Sequence, residues 1–170
     1  MKSFWAYIYL NLAVGRTAHI LWEIKKLSDR IRKNRKKLKG ERKQILWLHD
    51  QVLEKVEIKG RDGIILRGRL LKHPEAERIV LMFHGWRGRW DKDGAALAKE
   101  LYEKKSSILL VDQRAHQTSG GKYIGLGVLE RYDCLKWLEY LEHHTNSSLP
   151  IYLFGVSMGA ATVLMTSGLE

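Results

Sequence analysis

The segment that decides the fold of this 170-residue chain is Ile151-Tyr152-Leu153-Phe154-Gly155-Val156-Ser157-Met158-Gly159. Four apolar residues, enough for a buried strand, run into a Gly-x-Ser-x-Gly motif, and small and apolar residues suited to a helix follow it. A nucleophile elbow requires this order of strand, turn and helix. The segment therefore predicts a parallel strand, a sharp turn with the serine at its tip, and a helix that begins near the methionine.

The spacing of the two glycines follows from the geometry of such a turn. A serine between strand and helix has a strained backbone, and a side chain at Gly155 or Gly159 would collide with the neighbouring strand or helix. Ser157 would then project its hydroxyl above the sheet, and the helix would point its free N–H groups at the site where an oxyanion forms. The alternative is a glycine-rich turn that carries a solvated serine and no chemistry.

A second motif, His84-Gly85-Trp86-Arg87-Gly88, follows the apolar run at 78–83. That run is typical of a strand buried on both faces. An acyl-transfer serine needs two backbone N–H donors, and Gly85 lets the chain bend so that the Trp86 amide points inward to join the Met158 amide. His84, at the end of a buried strand, is more typical of a hydrogen-bonded brace than of a base. Trp86 and Trp90 are expected either to line an acyl or alcohol pocket or to cover the loop.

Strand and helix patterns alternate along the rest of the chain. Residues 52–59 and 64–71 alternate around a turn at 61–63, which predicts a hairpin. The remaining predicted elements are a helix at 91–105 with Asp91 as its N-cap, a buried strand at 108–111, and an amphipathic helix at 126–144 that buries Cys134. This order predicts an α/β fold with parallel central strands behind an N-terminal hairpin.

The charge is distributed unevenly. Residues 1–43 hold 13 Lys and Arg against 3 Asp and Glu, whereas residues 44–170 hold 17 against 16, so the net charge of +11 belongs to an N-terminal extension. Nucleic-acid binding would need that charge on a folded domain or beside a recognised module, and the sequence shows neither. The single cysteine excludes an internal disulfide and fits a reducing compartment, so we expect a cytoplasmic protein.

The pattern of the extension, residues 1–43, predicts a basic amphipathic helix. Residues 3–15 are uncharged and rich in aromatic side chains, and lysines and arginines follow them; a secretory signal has the opposite order. Arg16 makes a spanning helix borderline, so an interfacial helix held at the anionic inner face of a membrane fits better. The alternative is that its apolar residues pack on the domain. The helical pattern is expected to end at residues 39–41.

With these landmarks, the chain resembles the α/β-hydrolase superfamily, in particular the small serine hydrolases grouped with serine aminopeptidases and esterases. Three motifs carry the resemblance over residues 52–168: His84-Gly85-Trp86, Asp112-Gln113-Arg114-Ala115-His116 with Ser119-Gly120-Gly121-Lys122-Tyr123, and Gly155-Val156-Ser157-Met158-Gly159. The resemblance implies hydrolysis of an ester, thioester or amide of a small acyl substrate through an acyl-enzyme on Ser157. The Met158 and Trp86 amides would form the oxyanion hole, with no cofactor and no metal.

The chain departs from this family in two ways. Ala115 and Gln117 stand where the family usually has glycines, which could alter that loop without touching a catalytic atom. The family places its acid and histidine after the serine, but no Asp or His follows Ser157 here, and all seven histidines precede it. His116, in a neighbouring loop, is the substitute base that the sequence offers.

We therefore expect residues 44–170 to be the N-terminal portion of a longer hydrolase domain, without its C-terminal strands. The strand at 151–154 would then form an exposed sheet edge. The competing hypothesis is a non-catalytic, truncated hydrolase fold that is tethered to a membrane surface by residues 1–43.

Overall fold

The computed structural model describes residues 17–145 and 148–169. The chain divides into two compact units, residues 1–42 and residues 43–170, and each is considered by itself. The first helix that the structure describes, α1 (Thr17–His49), begins in the first unit and ends in the second. The uncharged run at 3–15, and with it the predicted contact with a membrane, lies outside the described residues. No helix among the residues described combines the length and the apolar character needed to cross a membrane.

Within the described residues, the second unit contains one five-stranded sheet. Its strands are β1 (Glu54–Lys59), β2 (Ile65–Leu71), β3 (Arg78–Phe83), β4 (Ser106–Asp112) and β5 (Ile151–Gly155), in the spatial order β1-β2-β4-β3-β5. The hairpin strands β1 and β2 are antiparallel to each other, and β2 is antiparallel to β4. Strand β3 runs parallel to both β4 and β5. The predicted fold class, an N-terminal hairpin with parallel central strands, is confirmed.

Among the residues that the structure describes, three further helices cover the two faces of the sheet: α2 (Trp90–Glu103), α3 (Glu130–His144) and α4 (Met158–Ser167). One face packs against α3 and α4 through a core that includes Leu66, Leu70, Leu81, Leu109, Trp137 and Leu141. The other face packs against α2 and the last turn of α1 through Leu48, Val80, Met82, Ala95, Ala98 and Leu110. Cys134 is fully buried in the first core, as predicted. Apolar burial on both faces explains why β3 and β4 are nearly continuous hydrophobic runs.

Two predicted helix boundaries are wrong because tertiary contacts decide them. The helical pattern does not end at residues 39–41; α1 continues through Gly40 to His49 because Leu48 is fully buried in the core. A glycine inside a helix costs only about 1 kcal/mol, which such burial offsets. Asp91 is not an N-cap either. The N-cap of α2 is Arg89, and the Asp91 carboxylate instead accepts hydrogen bonds from Arg89 and His49.

The start of α3 also differs from the prediction of residue 126. Leu126 has φ +50° and is 61% exposed, so it belongs to the preceding loop. The buried Glu130 carboxylate accepts hydrogen bonds from the amides of Gly125 and Gly127, both at 2.7 Å. These bonds turn the loop back on the helix and fix its first residue.

Candidate active site

Ser157 lies at the tip of a sharp turn between β5 and α4. Its backbone has φ +51° and ψ −112°, a conformation that non-glycine residues rarely adopt, and its side chain is exposed. The Val156 amide donates to the Phe83 carbonyl at 3.0 Å, and the Gly159 amide donates to the Val156 carbonyl at 2.8 Å. The turn is therefore fastened to the end of β3 while the serine hydroxyl faces solvent.

The glycines on either side of the serine have no room for a side chain. A Cβ atom on Gly155 would lie 2.2 Å from the Gly159 carbonyl carbon, and one on Gly159 would lie 2.3 Å from the Phe83 carbonyl oxygen. Both atoms belong to the backbone and cannot move aside as a flexible side chain can. The close approach of β3, β5 and α4 thus explains both glycines, as the sequence pattern predicted.

The turn that follows β3 lies against this elbow. The Gly88 amide donates to the Gly85 carbonyl at 2.9 Å, and Arg87 has φ +52°. A Cβ atom on Gly85 would lie 3.5 Å from Ser157 Cβ, so the backbone of the turn and the serine are in contact. The structure therefore brings the turn that carries Trp86 to Ser157, and it places Met158, which is buried, as the first residue of α4.

The two tryptophans near this turn have different environments. The Trp86 side chain is 55% exposed, and the Arg87 guanidinium lies 4.6 Å from the centre of its ring. Trp90 is buried in the second core, with the Arg69 guanidinium 4.4 Å from its ring centre. Of the two alternatives for Trp90, covering the loop agrees with this burial, whereas the Trp86 side chain is exposed to solvent.

His84 is a buried brace, as predicted. Its Nδ1–H donates to the Gly85 carbonyl at 2.8 Å, so its Nε2 accepts from the Gln113 amide at 3.1 Å. Burial lowers the pKa of His84 below its usual value, which favours the neutral ring that these two bonds require. Both nitrogens are occupied, so His84 cannot take the serine proton without breaking one of the bonds.

His116 is occupied in the same way. Its Nδ1–H donates to the Arg114 carbonyl at 2.8 Å, and its Nε2 accepts from the Arg87 amide at 3.2 Å. The ring is buried and lies edge-on to His84, with 4.9 Å between ring centres. His116 therefore links two loops of the site and has no nitrogen left for Ser157 in this arrangement.

A buried polar chain that the sequence analysis missed joins the loops after β3, β4 and β5. The Gln113 side-chain amide donates to the His84 carbonyl, and its oxygen accepts from the Thr162 hydroxyl at 3.0 Å. Thr162 lies in α4, where its hydroxyl is also 3.1 Å from the Met158 carbonyl. A polar residue directly after the buried strand β4 was the available signal, but its partner is 49 residues away in the sequence.

The loop after β4 is anchored by an ion pair below the surface. Arg114 donates to both Asp133 oxygens, at 2.6 and 2.7 Å, and also to Asp62. Hydrogen bonds from Arg114 to Asp133 raise the pKa of the guanidinium, so it stays charged. Ala115 and Gln117 flank His116 with φ +58° and +47°, the left-handed region that glycine occupies without strain. The departure from the glycine pattern is therefore accommodated as backbone strain.

No group of three or more His, Cys, Asp or Glu side chains is arranged to hold a metal ion in residues 17–145 and 148–169. The polar groups at the site that are described above include backbone amides, the imidazoles of His84 and His116 and the exposed Ser157 hydroxyl.

The strand order and the serine elbow together define an α/β-hydrolase fold. The structure is similar to an esterase of Pyrococcus furiosus, Pf2001, with a TM-score of 0.62 and 26% identity over 68% of this chain and 46% of that one. It is also similar to an α/β serine hydrolase homologue of Coxiella burnetii, with a TM-score of 0.60 and 25% identity over 69% of this chain and 58% of that one. The chain is therefore related to the α/β-hydrolase superfamily.

Comparison of the sequence alone gives weaker evidence for the family. No family model matches the chain. The uncharacterized protein YqkD of Bacillus subtilis is 39% identical over 62 residues, which are 36% of this chain and 20% of YqkD. The chain thus spans about half the length of the hydrolases with known structures that are named above, and a smaller part of YqkD.

Proposed function

We propose that this chain carries the nucleophile and the oxyanion hole of a serine hydrolase that acts on an ester, thioester or amide of a small acyl substrate. The observation that carries the proposal is the backbone of Ser157, held at φ +51° between two glycines that cannot be replaced without a backbone collision. Strain of this kind costs about 1–3 kcal/mol and persists where the surrounding structure requires it. A merely solvated serine gives no reason for that cost.

The proposed chemistry begins with attack of Ser157 Oγ on the acyl carbon. The carbonyl oxygen becomes an oxyanion, which the amides of Met158 and Trp86 stabilise by donating hydrogen bonds. The Met158 amide is at the N-terminus of α4, where the helix dipole adds to the effect. Collapse of this intermediate expels the alcohol, thiol or amine, which takes up the proton that the base removed from Ser157, and leaves an acyl-enzyme; water then hydrolyses it to the free acid and restores the serine hydroxyl.

The proton on Ser157 must be removed by a general base during attack. His84 and His116 each use both ring nitrogens in backbone contacts, so neither fills this role without rearrangement. The superfamily orders its triad as serine, acid and histidine, so a base of the family's kind would follow Ser157 in the sequence.

Hydrolysis of p-nitrophenyl acetate, butyrate and octanoate by the full-length protein tests this function. Ser157→Ala should lower kcat/KM by about 10³-fold or more, since the nucleophile is lost. Ser167→Ala is the matched control, because Ser167 lies at the far end of the same helix and bonds only to the Val163 carbonyl. Equal activity of the two variants would contradict the proposal.

The second candidate function is attachment of a non-catalytic hydrolase fold to the anionic cytoplasmic face of a membrane. One observation favours it: α1 presents nine described basic side chains between residues 25 and 43, and every one of them is exposed. Each charge close to anionic headgroups contributes about 1 kcal/mol. A helix with this density of exposed positive charge is suited to such a surface.

Co-sedimentation with vesicles that contain phosphatidylserine tests the attachment. Replacing Lys33, Lys36 and Lys39 by glutamine in the full chain should weaken binding about 100-fold, from about 1 kcal/mol per charge.

The matched control replaces three exposed lysines of the second unit, namely Lys59, Lys92 and Lys122, which removes the same charge. Equal weakening by both triple variants would show attraction by net charge alone and would reject a helix-directed contact.

A further inference from the structure

The amides of the turn from Gly85 to Gly88 are not equivalent. The Gly85 amide donates to Asp93 Oδ2 at 2.8 Å, and the Arg87 amide donates to His116 Nε2 at 3.2 Å. The Gly88 amide donates to the Gly85 carbonyl at 2.9 Å. Among the hydrogen bonds of the described residues, only the Trp86 amide in this turn has no acceptor.

Asp93 holds the turn from the side of α2. It lies in the first turn of that helix, and the same Oδ2 atom that accepts the Gly85 amide would be 2.2 Å from a Cβ atom on Gly88. The carboxylate is thus packed against both ends of the turn. Because it is anchored in a helix that packs on the sheet, it fixes the turn to the rigid part of the fold.

His116 holds the turn from the opposite side, through the loop after β4. The bond from its Nδ1–H to the Arg114 carbonyl sets the tautomer, which leaves Nε2 unprotonated and able to accept the Arg87 amide. Arg114 is itself fixed by its ion pair with Asp133. A chain of buried contacts therefore determines where Arg87, and with it the neighbouring Trp86 amide, is placed.

We propose that Asp93 and His116 are positioning residues of the oxyanion hole: they occupy the amides of Gly85 and Arg87 so that, of the amides in this turn, the Trp86 N–H is the one left to face the reacting oxygen beside the Met158 N–H. The proposal rests on the serine hydrolase function proposed above. Neither side chain would touch the substrate. Each would instead fix the position of a hydrogen-bond donor that stabilises the transition state.

Steady-state kinetics of the full-length protein with p-nitrophenyl butyrate test the role of His116. Loss of one oxyanion donor lowers kcat by about 10²–10³-fold, and displacement of the donor should cost less, about 10–100-fold, with KM changed less than about twofold. His116→Ala is expected to show this loss. His116→Gln, which can accept the Arg87 amide and donate to the Arg114 carbonyl, should recover most of it.

The role of Asp93 can be tested with a corresponding pair of variants. Asp93→Ala should lower kcat over the same range, whereas Asp93→Asn retains an acceptor for the Gly85 amide and should recover part of the activity. An Ala variant with kcat within about threefold of the wild type, or a loss that appears in KM alone, would overturn the proposal for that residue.

Ser157→Ala separates a failure of this inference from a failure of the proposed function. If Ser157→Ala leaves the activity unchanged, the serine hydrolase function fails. If Ser157→Ala abolishes activity while the two Ala variants keep it, only the positioning role fails.

Amide hydrogen exchange measured by NMR tests the geometry without any turnover. In the wild type, the amides of Gly85 and Arg87 should exchange slowly and the Trp86 amide quickly. In His116→Ala, the Arg87 amide should become fast while the Leu81 amide, inside β3, stays slow and shows that the fold is intact. A slow Trp86 amide in the wild type, or an Arg87 amide unaffected by His116→Ala, would contradict the proposed arrangement.

Discussion

Replacement of Gly159 by alanine should destabilise the protein strongly, although it adds only one methyl group. The added Cβ atom would lie 2.3 Å from the Phe83 carbonyl oxygen and 2.8 Å from the His84 carbonyl oxygen. An ordinary contact is about 3.5 Å, so α4 would have to retreat from β3 by about 1 Å. Overpacking costs about 1–3 kcal/mol, and we expect about 3 kcal/mol because backbone atoms oppose the methyl group.

Gly168→Ala is the matched control for this substitution. Gly168 follows the same helix, and a Cβ atom there would meet nothing closer than the Met165 carbonyl oxygen at 4.0 Å. Urea unfolding, followed by the intrinsic tryptophan fluorescence to which the buried Trp137 contributes, gives the free energy of unfolding of each variant. A loss below about 0.5 kcal/mol for Gly159→Ala, or equal losses for both variants, would refute the close approach of helix and strand.

Three further predictions concern residues around the site. Ala115→Gly should raise the free energy of unfolding by about 0.5–1 kcal/mol in the same assay, because it relieves the left-handed backbone at φ +58°; a loss would contradict the strain. Burial raises the pKa of the Cys134 thiol to about 11, so Ellman's reagent at pH 8 should react with it only after unfolding in urea, and rapid reaction of the native protein would contradict this. Burial lowers the pKa of His84 in the folded protein, so at a pH below the unfolded value of about 6.5 the unfolded state binds more protons. The free energy of unfolding should therefore decrease as the pH is lowered, by up to about 1.4 kcal/mol per pH unit. His84→Gln should flatten this slope, and an unchanged slope would exclude His84 as its source.

Local sequence was sufficient where local sterics decide the structure. The apolar run before Gly155 and the two glycines around Ser157 predicted strand, turn and helix, and the collision that excludes a side chain at Gly155 is with Gly159, inside the motif itself. The hairpin was predictable for the same reason, since alternating strands flank a turn in which Gly63 has φ +84°.

Tertiary contacts decided what the sequence could not predict. The sequence predicts Asp91 as an N-cap, but its carboxylate instead forms a hydrogen bond with His49, 42 residues earlier. Gln113 and Thr162 are ordinary polar residues until the fold brings their side chains together. The braces of the Gly85–Gly88 turn belong to the same class, because Asp93 and His116 reach it from different elements.

The most direct test of the central claim, that Ser157 is an activated nucleophile, is reaction of the full-length protein with a fluorophosphonate probe followed by peptide mapping. We predict one modified residue, Ser157, with no label in Ser157→Ala and normal labelling in Ser167→Ala. Ser157 Oγ displaces fluoride from phosphorus, and the polarised phosphoryl oxygen of the tetrahedral adduct resembles the oxyanion, so the same donors favour its capture. Absence of labelling, or labelling at another serine that persists in Ser157→Ala, would contradict the account.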